Sequence, residues 1–165
     1  MEYEHITHPF EPIYSENSKI LILGSLPSVK SREQNFYYGH PQNRFWKVTS
    51  SLLHEPLPTN AEDKRMMLLK HDIAIWDVIL NCDIKGSSDS SIRNVTPTDI
   101  AALIQKTKIE RIFCNGKTAG RLFEKYQQKN ISIQAVTLPS TSPANAAFSV
   151  ERLIDEWGKY IKAGK

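Results

Sequence analysis

Four short apolar runs punctuate a chain that is otherwise mixed in polarity. Residues 19–24 (KILILG), 73–76 (IAIW), 109–114 (IERIFC) and 131–137 (ISIQAVT) have the length and β-branched content of strands. Each ends on small or polar residues: Gly24-Ser25, Asp77, Asn115-Gly116 and Pro139-Ser140. Between and after them, residues 42–54, 60–70, 98–106, 117–128 and 148–162 are helical candidates. In the fourth of these, Ala119, Leu122, Phe123 and Tyr126 recur at helical spacing. Thr96-Pro97-Thr98-Asp99 combines a capping hydroxyl, an early proline and an early acid, and so predicts a helix start. Strands that alternate with helices imply an α/β fold whose mostly parallel sheet is covered on both faces.

Such a sheet binds ligands beyond the carboxyl ends of its strands. The loops there span 24–39, 77–94, 115–117 and 138–145, all rich in Ser, Asn, Gly or Pro. Residues 83–94 (DIKGSSDSSIRN) form one long polar insertion. The most informative stretch is Tyr37-Tyr38-Gly39-His40-Pro41-Gln42-Asn43-Arg44-Phe45-Trp46. Its aromatics and its amide serve packing and helix capping in one account. In the other they stack a planar ring and place a carboxamide beside it.

Composition narrows the class. The 165 residues fit a single domain, 1–165, with residues 1–18 expected as an N-terminal extension packing on the core. Hydrophobic content of 40% and charged content of 24% are ordinary for a globular chain. No run approaches the ~18–20 apolar residues of a membrane span. The start, MEYEHITHPFEP, lacks signal-peptide character, so a cytoplasmic location is expected. Cys82 and Cys114 lack metal-ligand spacing, and Cys114 is expected to be a buried thiol. The net charge of +3 permits a nucleic-acid partner without requiring one. The phosphate loop GxxxxGK[ST], the dinucleotide fingerprint GxGxxG and the esterase elbow GxSxG are missing, and the five histidines have no metal spacing. No metal or cofactor is expected, and His5 and His8 are expected as an ordinary surface pair.

Four segments in order, GSLPS, YYGHPQNRFWK, NGK and LPSTSPAN, resemble the uracil-DNA glycosylase superfamily over roughly residues 19–157. Within it they are most similar to the DNA-deoxyinosine (hypoxanthine-DNA) glycosylases, family six. The resemblance implies a three-layer α/β sandwich with a central, mostly parallel four-stranded sheet flanked by helices. It also implies monofunctional hydrolysis of the N-glycosidic bond of deaminated bases in double-stranded DNA, chiefly hypoxanthine, leaving an abasic site. The mismatch-specific branch places a water-positioning Asn in the first loop, where this chain has Leu26. No carboxylate stands in the GSLPS segment, and the catalytic His that some branches carry in the last loop is missing. Family six places its catalytic Asn in the downstream segment, which maps onto Asn43.

Residue chemistry supports that assignment separately. Glycosidic cleavage builds positive charge on the sugar, and a carboxamide orients water without acting as a strong base. Asn43 is also well placed to cap the helix that follows. The resemblance, through the aromatic at this point in the related branch, implies that Tyr38 is the stacking platform for a flipped base, with Phe36 and Tyr37 as neighbours able to exchange that role. Phe45 and Trp46 are expected to pack beneath it. The expected base pocket comprises Ser25, Leu26, Pro27, Tyr38, Gly39, Asn81 and Asn115. The expected DNA contacts are Ser28, Lys30, Lys117, Ser140, Thr141, Ser142 and Asn145, the last loop being compact enough to wedge into a duplex. Asp77, Asp83 and Asp89 are the nearest general bases if Asn43 is not the catalyst, although turn and capping roles fit each of them. A uracil- or xanthine-preferring glycosylase, a non-catalytic damage-binding module and a small-molecule hydrolase remain the alternatives. A monomer is expected.

Overall fold

The structure, a computed structural model, describes residues 2–26, 29–34, 36–86 and 88–163; the side chains of Val29, Lys30 and Gln34 lie outside that description. The elements run β1 (Glu4–Thr7), β2 (Ile20–Gly24), α1 (Val29–Gln34), α2 (Phe45–Leu52), α3 (Ala61–Lys70), β3 (Ile73–Asp77) and β4 (Ile79–Ile84). They continue with β5 (Arg93–Pro97), α4 (Ile100–Gln105), β6 (Arg111–Asn115), α5 (Lys117–Tyr126), β7 (Val136–Leu138) and α6 (Val150–Trp157). The main sheet has the order β3-β2-β6-β7, and every pairing in it is parallel.

Alternation along β2 divides the core. Ile22, with Ile73, Ile75 and Phe113, faces a layer that includes Phe45 and Val48 of α2, Leu68 of α3, and Leu153 and Trp157 of α6. Leu21 and Leu23, with Ala74, Ile112 and Cys114, face Ile100 and Leu103 of α4 and Ala119, Leu122 and Phe123 of α5. Both faces are therefore dry, which explains why these strands read as unbroken apolar runs. The expected parallel four-stranded sheet between helical layers is the architecture found.

A second sheet was not foreseen. β1, β4 and β5 pair antiparallel in the order β1-β4-β5. β5 takes Thr96 and Pro97, so the helix expected from 98 starts at Ile100, with Asp99 capping it through the Ala102 N–H. The polar insertion is mostly the turn between β4 and β5. Residues 2–18 lie against this frame: β1 joins β4, and Ile13 bridges to Ile75 and is buried.

No helix among the described residues is long and apolar enough to cross a membrane.

Candidate active site

Beyond the carboxyl ends of β2, β3, β6 and β7 lies a cleft of about 970 Å³, within the size range of small-molecule sites. Ser25, Leu26, Tyr38, Asn43, Asp77, Asn115, Lys117, Ser140, Thr141, Ser142 and Asn145 line it. Pro27, Ser28 and the Lys30 side chain fall outside the described residues. Two expected pocket residues lie elsewhere. Asn81 sits in β4, opposite Thr7 and Thr96 in the second sheet. Gly39 is buried behind the cleft, its N–H donating to Ser31 Oγ at 2.8 Å.

Asn43 lies one residue before Arg44, the N-cap of α2, so the expected cap is not its place; its Oδ1 instead accepts the Phe45 N–H at 2.9 Å in an Asx-type turn that leads into the helix. The same oxygen accepts the Thr141 hydroxyl at 2.8 Å. Two donors on Oδ1 fix the amide orientation, since the flipped amide would set NH₂ against a backbone N–H. The Nδ2 donors therefore remain for the cleft. Its oxygen thus serves the fold, while its nitrogen is left facing the cleft.

Thr141 was expected at the DNA surface and is instead fully buried. It acts as a strut between two amides: it receives the Asn115 Nδ2–H at 3.0 Å and donates its own N–H to Asn115 Oδ1 at 3.0 Å. Asn115 lines the cleft with its oxygen and one amide hydrogen held by Thr141. Ser140 and Ser142 also serve their own loop, with Ser140 Oγ accepting the Ser142 N–H and Ser142 Oγ accepting the Ala144 N–H, each at 3.1 Å. Asn145 Nδ2 donates to Ser140 O at 3.0 Å.

Arg44, which the sequence did not single out, organises this loop. Its guanidinium donates to the carbonyls of Ser142 at 2.8 Å and Asn145 at 3.1 Å, to Phe148 O, and through Nε to Thr141 O at 3.3 Å. The loop carbonyls converge on the start of α2, and that convergence holds Thr141 beside Asn43.

Tyr38 adopts φ 53°, a left-handed conformation that a bulky residue enters only under constraint. The constraints are visible on both sides: the Ser31–Gly39 bond follows it, and Trp46 Nε1 donates to Tyr37 O at 3.1 Å before it. Its ring stacks on Phe45 with centroids 4.1 Å apart and planes 14° from parallel. Tyr37 does not share its role, being buried and donating its hydroxyl to Glu11 O at 2.9 Å. Phe36 stacks over Trp46 instead. Tyr38 Oη is buried and meets no hydrogen-bond partner at bonding geometry among the described residues, with the Asn115 amide its nearby polar neighbour. Burial, and then the nearby Asp77 carboxylate, push its ionisation well above the ordinary phenol range. The same burial pushes the Cys114 thiol up to about 12.

Asp77 stands at the end of β3 in register with Gly24. A Cβ on Gly24 would collide with Asp77 Oδ1 and come within 3.1 Å of Tyr38 Oη, so both side chains meet over a bare Cα. Asp77 Oδ2 accepts from His8 Nε2 at 2.7 Å, with side-chain exposures of 5% and 1% for the pair. His8 is therefore no surface residue. Its buried ring needs a partner, and β1 carries it to Asp77 by seating the His8 N–H on Leu80 O at 2.6 Å. His5, by contrast, is exposed and pairs with Asp83 at 2.9 Å, away from the cleft. Asp89 lines the cleft at its lip and accepts the Thr118 hydroxyl at 3.1 Å. No group of three metal-ligating side chains occurs among the described residues.

Comparison with known proteins agrees with this frame. The family model for the uracil DNA glycosylase superfamily matches residues 11–159. A Methanosarcina acetivorans protein named hypoxanthine DNA glycosylase is 36% identical over 156 residues, covering 92% of this chain and 96% of its own. A second so named, from Methanosarcina barkeri, is 34% identical over 113 residues, covering 67% of this chain and 72% of its own. The solution NMR structure of a Methanosarcina acetivorans protein, provisionally assigned as a uracil DNA glycosylase, superposes with a TM-score of 0.79 at 35% identity. It covers 92% of this chain and 93% of that one. With a parallel β3-β2-β6-β7 sheet, a cleft at its carboxyl edge and these matches, the chain belongs to the uracil DNA glycosylase superfamily.

Proposed function

We propose that this chain is a monofunctional DNA glycosylase that flips hypoxanthine out of double-stranded DNA and hydrolyses its N-glycosidic bond, working as a monomer. The observation that carries this reading is the set Tyr38, Asp77 and Asn43 lining one cleft. The two relatives named hypoxanthine DNA glycosylase support the choice of base.

Each of the three has a distinct task. Tyr38, backed by Phe45, presents a rigid face on which a flipped purine stacks, offsetting part of the unstacking cost. Asp77 Oδ1, which has no donor among the described residues, accepts the N1–H of hypoxanthine at the pocket floor. Adenine carries a lone pair at that position and meets the carboxylate with repulsion. Asn43 Nδ2–H holds the oxygen of the attacking water, leaving a water lone pair for C1′. The water oxygen bonds to C1′ and releases a proton to solvent, the C1′–N9 bond breaks with its electron pair going to the base, and solvent supplies the proton that the purine gains. Positioning suffices because the developing sugar cation itself draws the nucleophile in.

Duplexes bearing deoxyinosine, deoxyxanthosine or deoxyuridine, treated with protein and then alkali, test this. Strand breaks are expected chiefly at inosine and only after alkali. Asn43→Ala is expected to lower the single-turnover rate by roughly 10²–10³-fold, the size of losing one positioned donor. No breaks on any substrate, together with tight binding, would replace the enzyme by a damage-binding module. Undiminished breaks in Asn43→Ala would move the water to another residue.

A further inference from the structure

A carboxylate at the floor of a purine pocket creates a selectivity problem. Guanine carries the same N1–H and O6 as hypoxanthine and adds a 2-amino group beside N1. A carboxylate with two free oxygens accepts N1–H and the amino group together, and so favours guanine, the base that fills normal DNA. In this structure one oxygen has no donor among the described residues and the other is already engaged. His8 Nε2 holds Asp77 Oδ2 at 2.7 Å, within a pair almost sealed from solvent. The Phe10 N–H points at His8 Nδ1 from 3.5 Å, which makes Nδ1 the acceptor and Nε2 the protonated donor. Ring contacts keep His8 in place: Phe10 lies edge-on at 4.8 Å and Tyr37 at 5.8 Å.

We propose that His8, carried on the N-terminal segment, is a positioning residue that sets base selectivity by engaging one of the two Asp77 oxygens and leaving the other for the base. The inference rests on the role given to Asp77 in the proposed function. Oδ1 then reads the imino proton, while a guanine amino group in the same pose must compete with His8 for an oxygen inside a nearly sealed pair. A buried amino group without a partner costs enough to reject guanine by ~10- to 100-fold. Gly24 belongs to the same device, since any Cβ there would displace the remaining oxygen.

The test compares duplexes in which inosine or guanine faces thymine. Both lesions are two-bond wobble pairs, so their flipping costs are similar and the ratio of excision rates reports the pocket. The wild-type chain is expected to excise from I·T and to spare G·T. His8→Ala frees Oδ2, and its I·T to G·T ratio is expected to fall at least ~10-fold. His8→Gln, whose amide N–H reaches the same oxygen, is expected to recover most of that ratio. If His8→Ala loses turnover, the affinity ratio for duplexes carrying 2′-fluoro-deoxyinosine and 2′-fluoro-deoxyguanosine takes its place. A ratio unchanged in His8→Ala, with both rates or affinities falling in parallel, would overturn the proposal and leave His8 a packing residue. Asp77→Ala separates the two levels. If it keeps wild-type excision from I·T, the role of Asp77 itself fails. If it loses excision while His8→Ala keeps the wild-type ratio, only the role of His8 fails.

Discussion

At the scale of single residues, the cleft is built by assigning the two halves of polar side chains to different tasks. Asn43 gives its oxygen to the fold and keeps its nitrogen for the cleft, and Asp77 gives one oxygen to His8 and keeps the other. Tyr38 departs from this pattern, because its hydroxyl is buried and gives nothing to the fold. A buried, unpartnered hydroxyl destabilises the chain that carries it. Tyr38→Phe removes that group and keeps the ring, so it is expected to raise stability by about 1 kcal/mol, or roughly 2–4 °C in Tm. Stacking survives in this variant, and excision from inosine duplexes is expected to drop by less than about tenfold, whereas Tyr38→Ala loses the platform and falls further. Thermal melts and single-turnover rates on the same preparations check both halves. A Tyr38→Phe protein less stable than wild type would mean that the hydroxyl has a partner in solution.

At the scale of elements, the Asn43 side of the cleft depends on one cation with no acidic partner in the loop it grips. Arg44 ends the loop that leads into α2 and collects four carbonyls from residues 141–148, which draws that loop onto the helix. Arg44→Met keeps much of the stem packing and leaves those carbonyls without a charged donor. The expected cost is about 2–3 kcal/mol, which lowers Tm by roughly 5–10 °C. Excision is expected to fall with it, because Thr141 no longer holds Asn43, and differential scanning fluorimetry beside a rate assay reads both. Arg44 also shows where sequence reading stops. The parallel strands were legible because burial on both faces turns them into apolar runs such as ILILG. The second sheet was not, because strands such as RNVTP in β5 are mostly exposed and carry no such run. Asn43 and Tyr38 stood out through local chemistry. His8, Asp77 and Arg44 take their meaning from partners 69 to 104 positions away, and no local pattern encodes that.

At the scale of the whole molecule, a net charge of +3 sets how tightly any duplex is gripped. Among the described residues, Arg32 and Lys117 are the lysine or arginine side chains that line the cleft, and Asp77 and Asp89 line it too. The charges lining the cleft are therefore close to balanced, and the base edge and the stack carry much of the recognition. Neutralising Z phosphates gives an affinity that falls with salt at a slope of about −0.9Z. With Z near two, affinity for a duplex carrying 2′-fluoro-deoxyinosine is expected to fall by only about tenfold between 50 and 200 mM salt. Lys117→Ala is expected to weaken binding to inosine and undamaged duplexes alike and to make the slope shallower by about one. Fluorescence anisotropy titrations at four salt concentrations measure the slope directly. A wild-type slope of about −5 or steeper would place a broad basic face outside the cleft at the centre of DNA binding, and a Lys117→Ala slope equal to wild type would remove Lys117 from the phosphate contacts.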